Sequence, residues 1–359
     1  MIMRRDPRQA AYDAKIAWKR FAVFAVLVLT LLVCLFAITR GSIAISLTEL
    51  FAVFAGTGSS QANTVILNIR LPRVMAAVLV GAALAVSGAV MQCVLQNPLA
   101  SASTLGVSQG AAFGAALGIV VFGGGVISSG SAAVAVEIDN PYIVTLCAFL
   151  FGSLSTVVVV LLSRFKRSLG PSGLVLAGVA LSSLFTGGST LLQYFADETQ
   201  LGAVVFWTFG NLGSANWYEL LILGVVFCGA MVYFMCNRWN YNAMRSGADT
   251  ATSLGVNTRS VMLVSITICS ITAAVSVSFV GIISFIGLIA PHMMRKFVGD
   301  DYRFLVPASA AAGALLLVLA DTFGRLIIAP VILPVGAITS FLGAPVFLTL
   351  LIKGGGTRD

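Results

Sequence analysis

Chemistry at a protein site needs a nucleophile beside its base, a set of metal ligands, or paired carboxylates, and this sequence holds few residues of those types. Its one histidine, His292, stands in Ala290-Pro291-His292, ahead of Met293, Met294 and Arg295. Alone it builds no metal site, and it reads as a structural or capping residue. Six cysteines (Cys34, Cys93, Cys147, Cys228, Cys236, Cys269) all fall in apolar stretches without C-x-x-C spacing, as small packing residues do. Asp321 and Arg325 are four apart, a spacing that puts them on one helical face as an ion pair. No G-x-x-x-x-G-K-[ST] run occurs and none of the five lysines follows a glycine, so the chain lacks the cradle that holds ATP in a P-loop. These residues argue against catalysis, and the apolar segments carry the rest of the reading.

Of the 359 residues 58% are hydrophobic and only 9% charged, against about 25% charged in soluble domains. A soluble fold is excluded. The net charge of +8 comes from small basic groups between apolar runs, a pattern of membrane orientation rather than of nucleic-acid binding. A helix needs about 20 apolar residues to cross the hydrocarbon layer, because lipid offers the backbone no hydrogen-bond partner. Charge-free runs of that kind are Phe21 to Thr39, Val74 to Val136 (two spans, broken at Asn97-Pro98), Asn140 to Ser163, Ser168 to Ala196, Leu220 to Asn237, Ser260 to Met294, Phe304 to Ala320 and Val335 to Ile352. With Ser260 to Met294 taken as two short helices broken near Gly281, the count is about ten. The predicted fold is an all-α polytopic membrane protein: a basic head (residues 1–20), one transmembrane unit (21–352) and a short tail (353–359). The first apolar run is read as a retained helix, since Cys34 to Ser42 shows no small-x-small cleavage site.

Placing both termini in the cytoplasm leaves only Arg40, Arg70, Arg73 and Arg325 of the basic residues outside, joined by Glu49, Glu137, Asp139, Asp197, Glu198 and Glu219. That bias is the positive-inside pattern. Gly106, Gly110, Gly114 and Gly118 recur every four residues, a small-residue ridge on the third span that lets another backbone come close. The longest polar segment between spans on the inner side is 238–259, in which Ala243 to Leu254 is expected as one short amphipathic helix. An ion-coupled carrier or channel acting alone needs ionisable residues in its spans, and these spans are nearly bare. A membrane enzyme lacks its reactive cluster.

Several blocks in order resemble the FecCD-type permeases, the membrane subunits of ABC importers for ferric siderophores, haem and cobalamin. They are Arg70-Leu71-Pro72-Arg73, Gly81 to Gly88 with Gln92, Asn97-Pro98-Leu99-Ala100, Leu105 to Ala111, Leu176 to Ala180, Trp207-Thr208-Phe209-Gly210 with Trp217, and Ser253 to Asn257. Further along stand Gly281, Phe285 to His292 with Arg295, Asp321, Arg325, Leu333 to Gly336 and Gly343 to Phe347. The resemblance implies a ten-helix subunit that forms a homodimer around a central path, with two ATPase subunits beneath, using ATP and magnesium, and a substrate-binding protein above. The chain itself would bind no cofactor. It would lie in a bacterial or archaeal cytoplasmic membrane, the inner membrane of a Gram-negative cell.

By the same resemblance Arg70, Arg73 and Arg325 would receive carboxylates of the binding protein. Asn97, Pro98 and Leu99, together with Pro171 and Ser172 at the start of the fifth span, match a cytoplasmic gate. Some relatives carry a hydroxyl residue where Pro171 stands. Ala243, Thr250, Ala251, Ser253, Leu254 and Gly255 match a helix that sits in a cleft of the ATPase. The cargo implied is a bulky iron chelate, with cobalamin as the alternative.

Overall fold

The computed structural model describes residues 7–41, 45–123, 126–128, 135–137, 140–166, 170–328 and 331–354. Arg4, Arg5, Asp139, Arg167, Arg358 and the tail from residue 355 lie outside them. The elements in chain order are α1 (Pro7–Thr39), α2 (Leu47–Phe54), α3 (Ser60–Asn63), a π-helical turn (Thr64–Arg70), α4 (Leu71–Val94) and α5 (Val107–Val120). After a two-stranded antiparallel ribbon, β1 (Val126–Ser128) and β2 (Ala135–Glu137), come α6 (Pro141–Phe165), α7 (Pro171–Phe195), α8 (Glu198–Thr208) and α9 (Trp217–Cys236). The chain ends with α10 (Arg238–Arg245), α11 (Ala248–Ser253), α12 (Thr258–Val280), α13 (Ile286–Val298), α14 (Tyr302–Leu326) and α15 (Val335–Gly354).

Helices α1, α4 to α7, α9 and α12 to α15 are the spans expected from the charge-free runs. Among the described residues seven helical stretches are long and apolar enough to cross a membrane by length and composition, α4 among them as the end of Ser60–Val94; α5 and Val335–Thr349 are shorter apolar helices. Both expected breaks occur, one between α4 and α5 and one at Gly281, whose φ of +76° a side chain would resist. Only the second half of that broken pair is short, because α12 runs 23 residues and α13 only 13. Helix α8 replaces what reads as an outer loop. Asp197 caps it by accepting from Gln200 N–H at 2.8 Å, while the Gln200 side chain accepts from Asp197 N–H at 3.3 Å. The π turn before α4 follows from Pro72, which has no N–H to give and whose ring crowds the preceding turn; Leu71 N–H donates to Ile66 instead.

The core forms around α4, most of whose side chains are buried, whereas α7 and α9 bury only a few each. It packs on α12, α13 and α14, while α5 packs on α6 and α7. Lipid tails are as apolar as leucine, so packing rather than water exclusion holds such helices together, and small residues let it happen. On α4, Gly81 meets Gly313 of α14 and Gly88 meets Gly287 of α13, backbone against backbone. Gly110, Gly114 and Gly118 face Phe151, Cys147 and Val144 of α6 in the same way, as the ridge predicts. Gly106 heads the same ridge against Ser155 of α6, but as the N-cap of α5 with φ +85°, where an added methyl would meet Ser155 Oγ at 2.7 Å and Gly178 O at 3.2 Å.

A methyl at Gly88 would overlap the Gly287 carbonyl. No rotamer change relieves a clash between backbones, so Gly88→Ala is expected to cost about 1–3 kcal/mol. Thermal unfolding in detergent would show it as a lowered midpoint; an unchanged midpoint would mean that α4 and α13 are not in contact there.

Candidate functional site: the two ends of helix α4

At its C-terminal end α4 stops at Val94, and Gln96 takes a positive φ of +46°, unusual for a residue with a side chain. Two hydrogen bonds hold it there: its Nε2 donates to Cys93 O at 2.7 Å and to Met244 O at 3.1 Å. Asn97 then turns the chain, its Oδ1 accepting from Leu99 N–H at 2.9 Å and its carbonyl from Ala100 N–H. Pro98 and Leu99 are exposed at the tip and Asn97 half-buried. Pro171 opens α7 behind Gly170, and Ser172 is exposed beside it. Pro171 shares a cavity of about 220 Å³ with Gln96, Met244, Ala248 and Arg259. The loop after α4, the start of α7 and the segment after α9 are thus brought to one place, with Gln96 rather than Asn97 as the joining residue.

That segment is not one helix from Ala243 to Leu254. Gly247, at φ +110°, breaks it into α10 and α11. Helix α10 is anchored inward by Tyr241, buried with its hydroxyl 2.9 Å from Ser265 Oγ, and by buried Met244; Ala243 is half-buried. On α11 only Ala251 is buried, while Thr250, Ser253, Leu254 and Gly255 are exposed. Gly255, at φ +84°, ends the helix in a Schellman motif: its N–H donates to Thr252 O and that of Val256 to Ala251 O. Leu254, 69% exposed, is held out by that cap as an apolar knob.

Helix α10 also joins a polar network that no sequence spacing announces. Arg245, in the last turn of α10, pairs with Asp300 in the turn between α13 and α14. Arg295 Nε stands 3.2 Å from the same carboxylate, and its Nη1 donates to Gln92 Oε1 of α4 at 2.6 Å. Gln92 Nε2 returns to Gly287 O at 3.3 Å. Next to it Asn242 Nδ2 donates to Asp301 Oδ1 at 3.1 Å and Asn242 Oδ1 accepts from Tyr302 N–H at 2.8 Å. Burial raises the Asp301 pKa, but donors from Arg303 and Asn242 outweigh it and hold the carboxyl below the usual carboxylate range. Gln92 and Arg295 stand out in the sequence only as motif positions; the doubled aspartate after Gly299 was the available signal for the rest.

The opposite end of α4 carries the arginines. Arg70, Arg73 and Arg325 are not displayed at the surface as expected but turned inward, Arg70 5% and Arg73 9% exposed. Asp321 is buried on α14, and a buried carboxylate is stable only when paired. It pairs twice: Arg73 Nε and Nη2 reach its Oδ1 at 2.9 and 2.8 Å, and Arg325 Nε lies 2.9 Å from its Oδ2. The expected ion pair of Asp321 and Arg325 is therefore present, as two sides of a triad. Carbonyls in the last turn of α1, which have no partner inside that helix, accept from Arg70 and Arg325. Arg70 Nη1 donates to Ile38 O at 2.8 Å and Thr39 O at 3.2 Å, and Arg325 Nη2 to Ala37 O at 3.3 Å. Arg73 also borders an open cavity of about 640 Å³ lined by Phe209, Asn211 and Gly213.

Apolar spans packed through glycine, one of them interrupted, a folded loop with an apolar knob at one end and a buried charge triad at the other define a multi-pass membrane permease. The chain belongs to the FecCD transport family, whose sequence model matches residues 28–353. Over 342 residues it is 50% identical to a protein described as an ABC transporter permease in Methanocaldococcus jannaschii, covering 94% of this chain and 97% of that one. It is 35% identical over 334 residues to the hemin transport system permease protein HmuU of Yersinia pestis, covering 91% and 94%. A structure described as an inward-facing conformation of a metal-chelate type ABC transporter superposes with a TM-score of 0.80 at 30% identity, covering 92% of this chain and 98% of that one.

Proposed function

We propose that this chain is the membrane-spanning, non-catalytic subunit of an ATP-driven importer that passes a bulky iron chelate, a ferric siderophore or haem, from a binding protein into the cytoplasm. The observation that carries the reading is the α10–α11 segment, an apolar knob on a rigid cap in a chain without a nucleotide site of its own. A separate ATPase supplies the energy, with ATP and magnesium bound there. Its cleft receives Thr250, Ser253, Leu254 and Gly255, while Ala251, matched with them in the sequence, is buried in the chain's own core and holds α11 in place. Two copies of the chain enclose the path and two ATPases sit beneath, on the cytoplasmic side. A binding protein docks at the opposite end, where two arginines share one carboxylate and the surplus positive charge borders the cavity beside Arg73.

Affinity capture of the tagged chain from its native membrane tests this reading: the expected result is an ATPase retained in equal amount, and its absence counts against the proposal. The gate is proposed at Asn97, Pro98 and Leu99 with Pro171 and Ser172. Cysteines placed at 97 and 172 are expected to change maleimide reactivity between nucleotide-free and ATP-trapped complexes. Constant reactivity at both would remove the gate from these residues.

A further inference from the structure

The end of α4 grips the α10 segment by two routes. One is direct, through Gln96 to Met244 O and Cys93 Sγ to Tyr241 O at 3.4 Å. The other runs through side chains, from Arg245 to Asp300, from Asp300 to Arg295, and from Arg295 to Gln92. The two routes differ in character. In the outer pair of the second the Arg245 side chain is 47% and that of Asp300 34% exposed, but the oxygen both arginines face, Asp300 Oδ1, is shut off from solvent. The inner link is drier, with Arg295 at 19%, and it ends on Gln92, itself tied to Gly287 O. At Gly287 the backbone of α13 lies directly on Gly88, so α13 and the last turns of α4 have no soft side chain between them there.

A push on α10 that moves Arg245 therefore has a charged handle, Asp300, in the turn just after α13, and from there a stiff contact to α4 and the Gln96–Leu99 loop. We propose that Asp300 is a positioning residue that passes displacement of α10 to the end of α4 through Arg295 and Gln92. It touches no substrate or nucleotide and acts only by linking the arginine of α10 to that of α13. The inference rests on the reading above, in which the ATPase acts on α10 and α11.

The test uses the complete complex with its ATPase, carrying Asn97→Cys in a background where exposed Cys228 and Cys236 are serine. Maleimide labelling is compared without nucleotide and after trapping with ATP and vanadate. Where the unsubstituted Asp300 background shows a change of about fivefold or more, the lower range of ordinary coupling between sites, Asp300→Asn is expected to reduce it to less than about twofold with the ATPase still bound. Asp300→Glu, which keeps the charge, should restore it. An undiminished change in Asp300→Asn overturns the proposal, and so does a loss that Glu fails to restore. If Asp300→Asn does not accumulate in the membrane, Arg245→Gln at the exposed helix end carries the same expectation and the same contrary result. Failure of the unsubstituted complex to hold an ATPase at all would instead remove the reading beneath it.

Discussion

Leu254→Asp is expected to strip the ATPase from the purified complex and bring chelate uptake to background while leaving the thermal midpoint of the permease unchanged. The side chain is 69% exposed, so the fold loses little. In a docked complex it would be buried, and removing a buried leucine forfeits about 2 kcal/mol. The carboxylate adds the cost of taking an unpaired charge out of water. Together these amount to a loss of affinity on the order of 100-fold or more, at tenfold for each 1.4 kcal/mol. Leu254→Met, which keeps the apolar surface, should behave as the unsubstituted chain. Retention of the ATPase by Leu254→Asp would show that the knob is only a solvated loop end.

Asp321→Asn should lower the stability of the permease more than Gly88→Ala does. Arg73 and Arg325 would then face one another across a neutral amide, with Arg70 close by on the carbonyls of α1. Breaking a buried ion pair by removing one partner typically costs about 3–5 kcal/mol, because the charge left behind stays buried. Arg325→Gln should cost less, since Arg73 keeps both of its contacts to Asp321 Oδ1. Thermal unfolding of the two variants in detergent gives the order directly. Equal midpoints for Asp321→Asn and the unsubstituted chain would mean that the triad does not hold α1, α4 and α14 together.

The spans were legible because the membrane imposes one rule on every one of them, a run of apolar residues without charge, and the breaks at Asn97-Pro98 and Gly281 were legible because proline and glycine interrupt helices locally. The regular glycines Gly110, Gly114 and Gly118 read correctly for the same reason, their spacing being the helical repeat. Local rules failed where the partner is distant. Arg73 and Asp321 are 248 positions apart, Arg295 and Gln92 203, and neither pair leaves a periodic mark in the sequence. Arg70 and Arg73, flanking a proline at a helix start, look like surface charges until α1 and α14 are packed against them. Gly247 reads as one more small residue in an amphipathic stretch, yet its positive φ is what divides α10 from α11. Helix α8 was hidden because its N-cap, Asp197, is of a type that also opens turns. For the candidate sites, the resemblance to the family pointed to the proposed gate and coupling segments, while the Asp300 network came only with the structure.

Uptake into sealed vesicles decides the central matter. Vesicles holding the purified chain together with its ATPase and ATP, supplied with chelate-loaded binding protein, should accumulate the iron chelate, and vesicles holding the chain alone should not, whatever proton or sodium gradient is applied. Accumulation by the chain alone, with no ATPase present, would contradict the account.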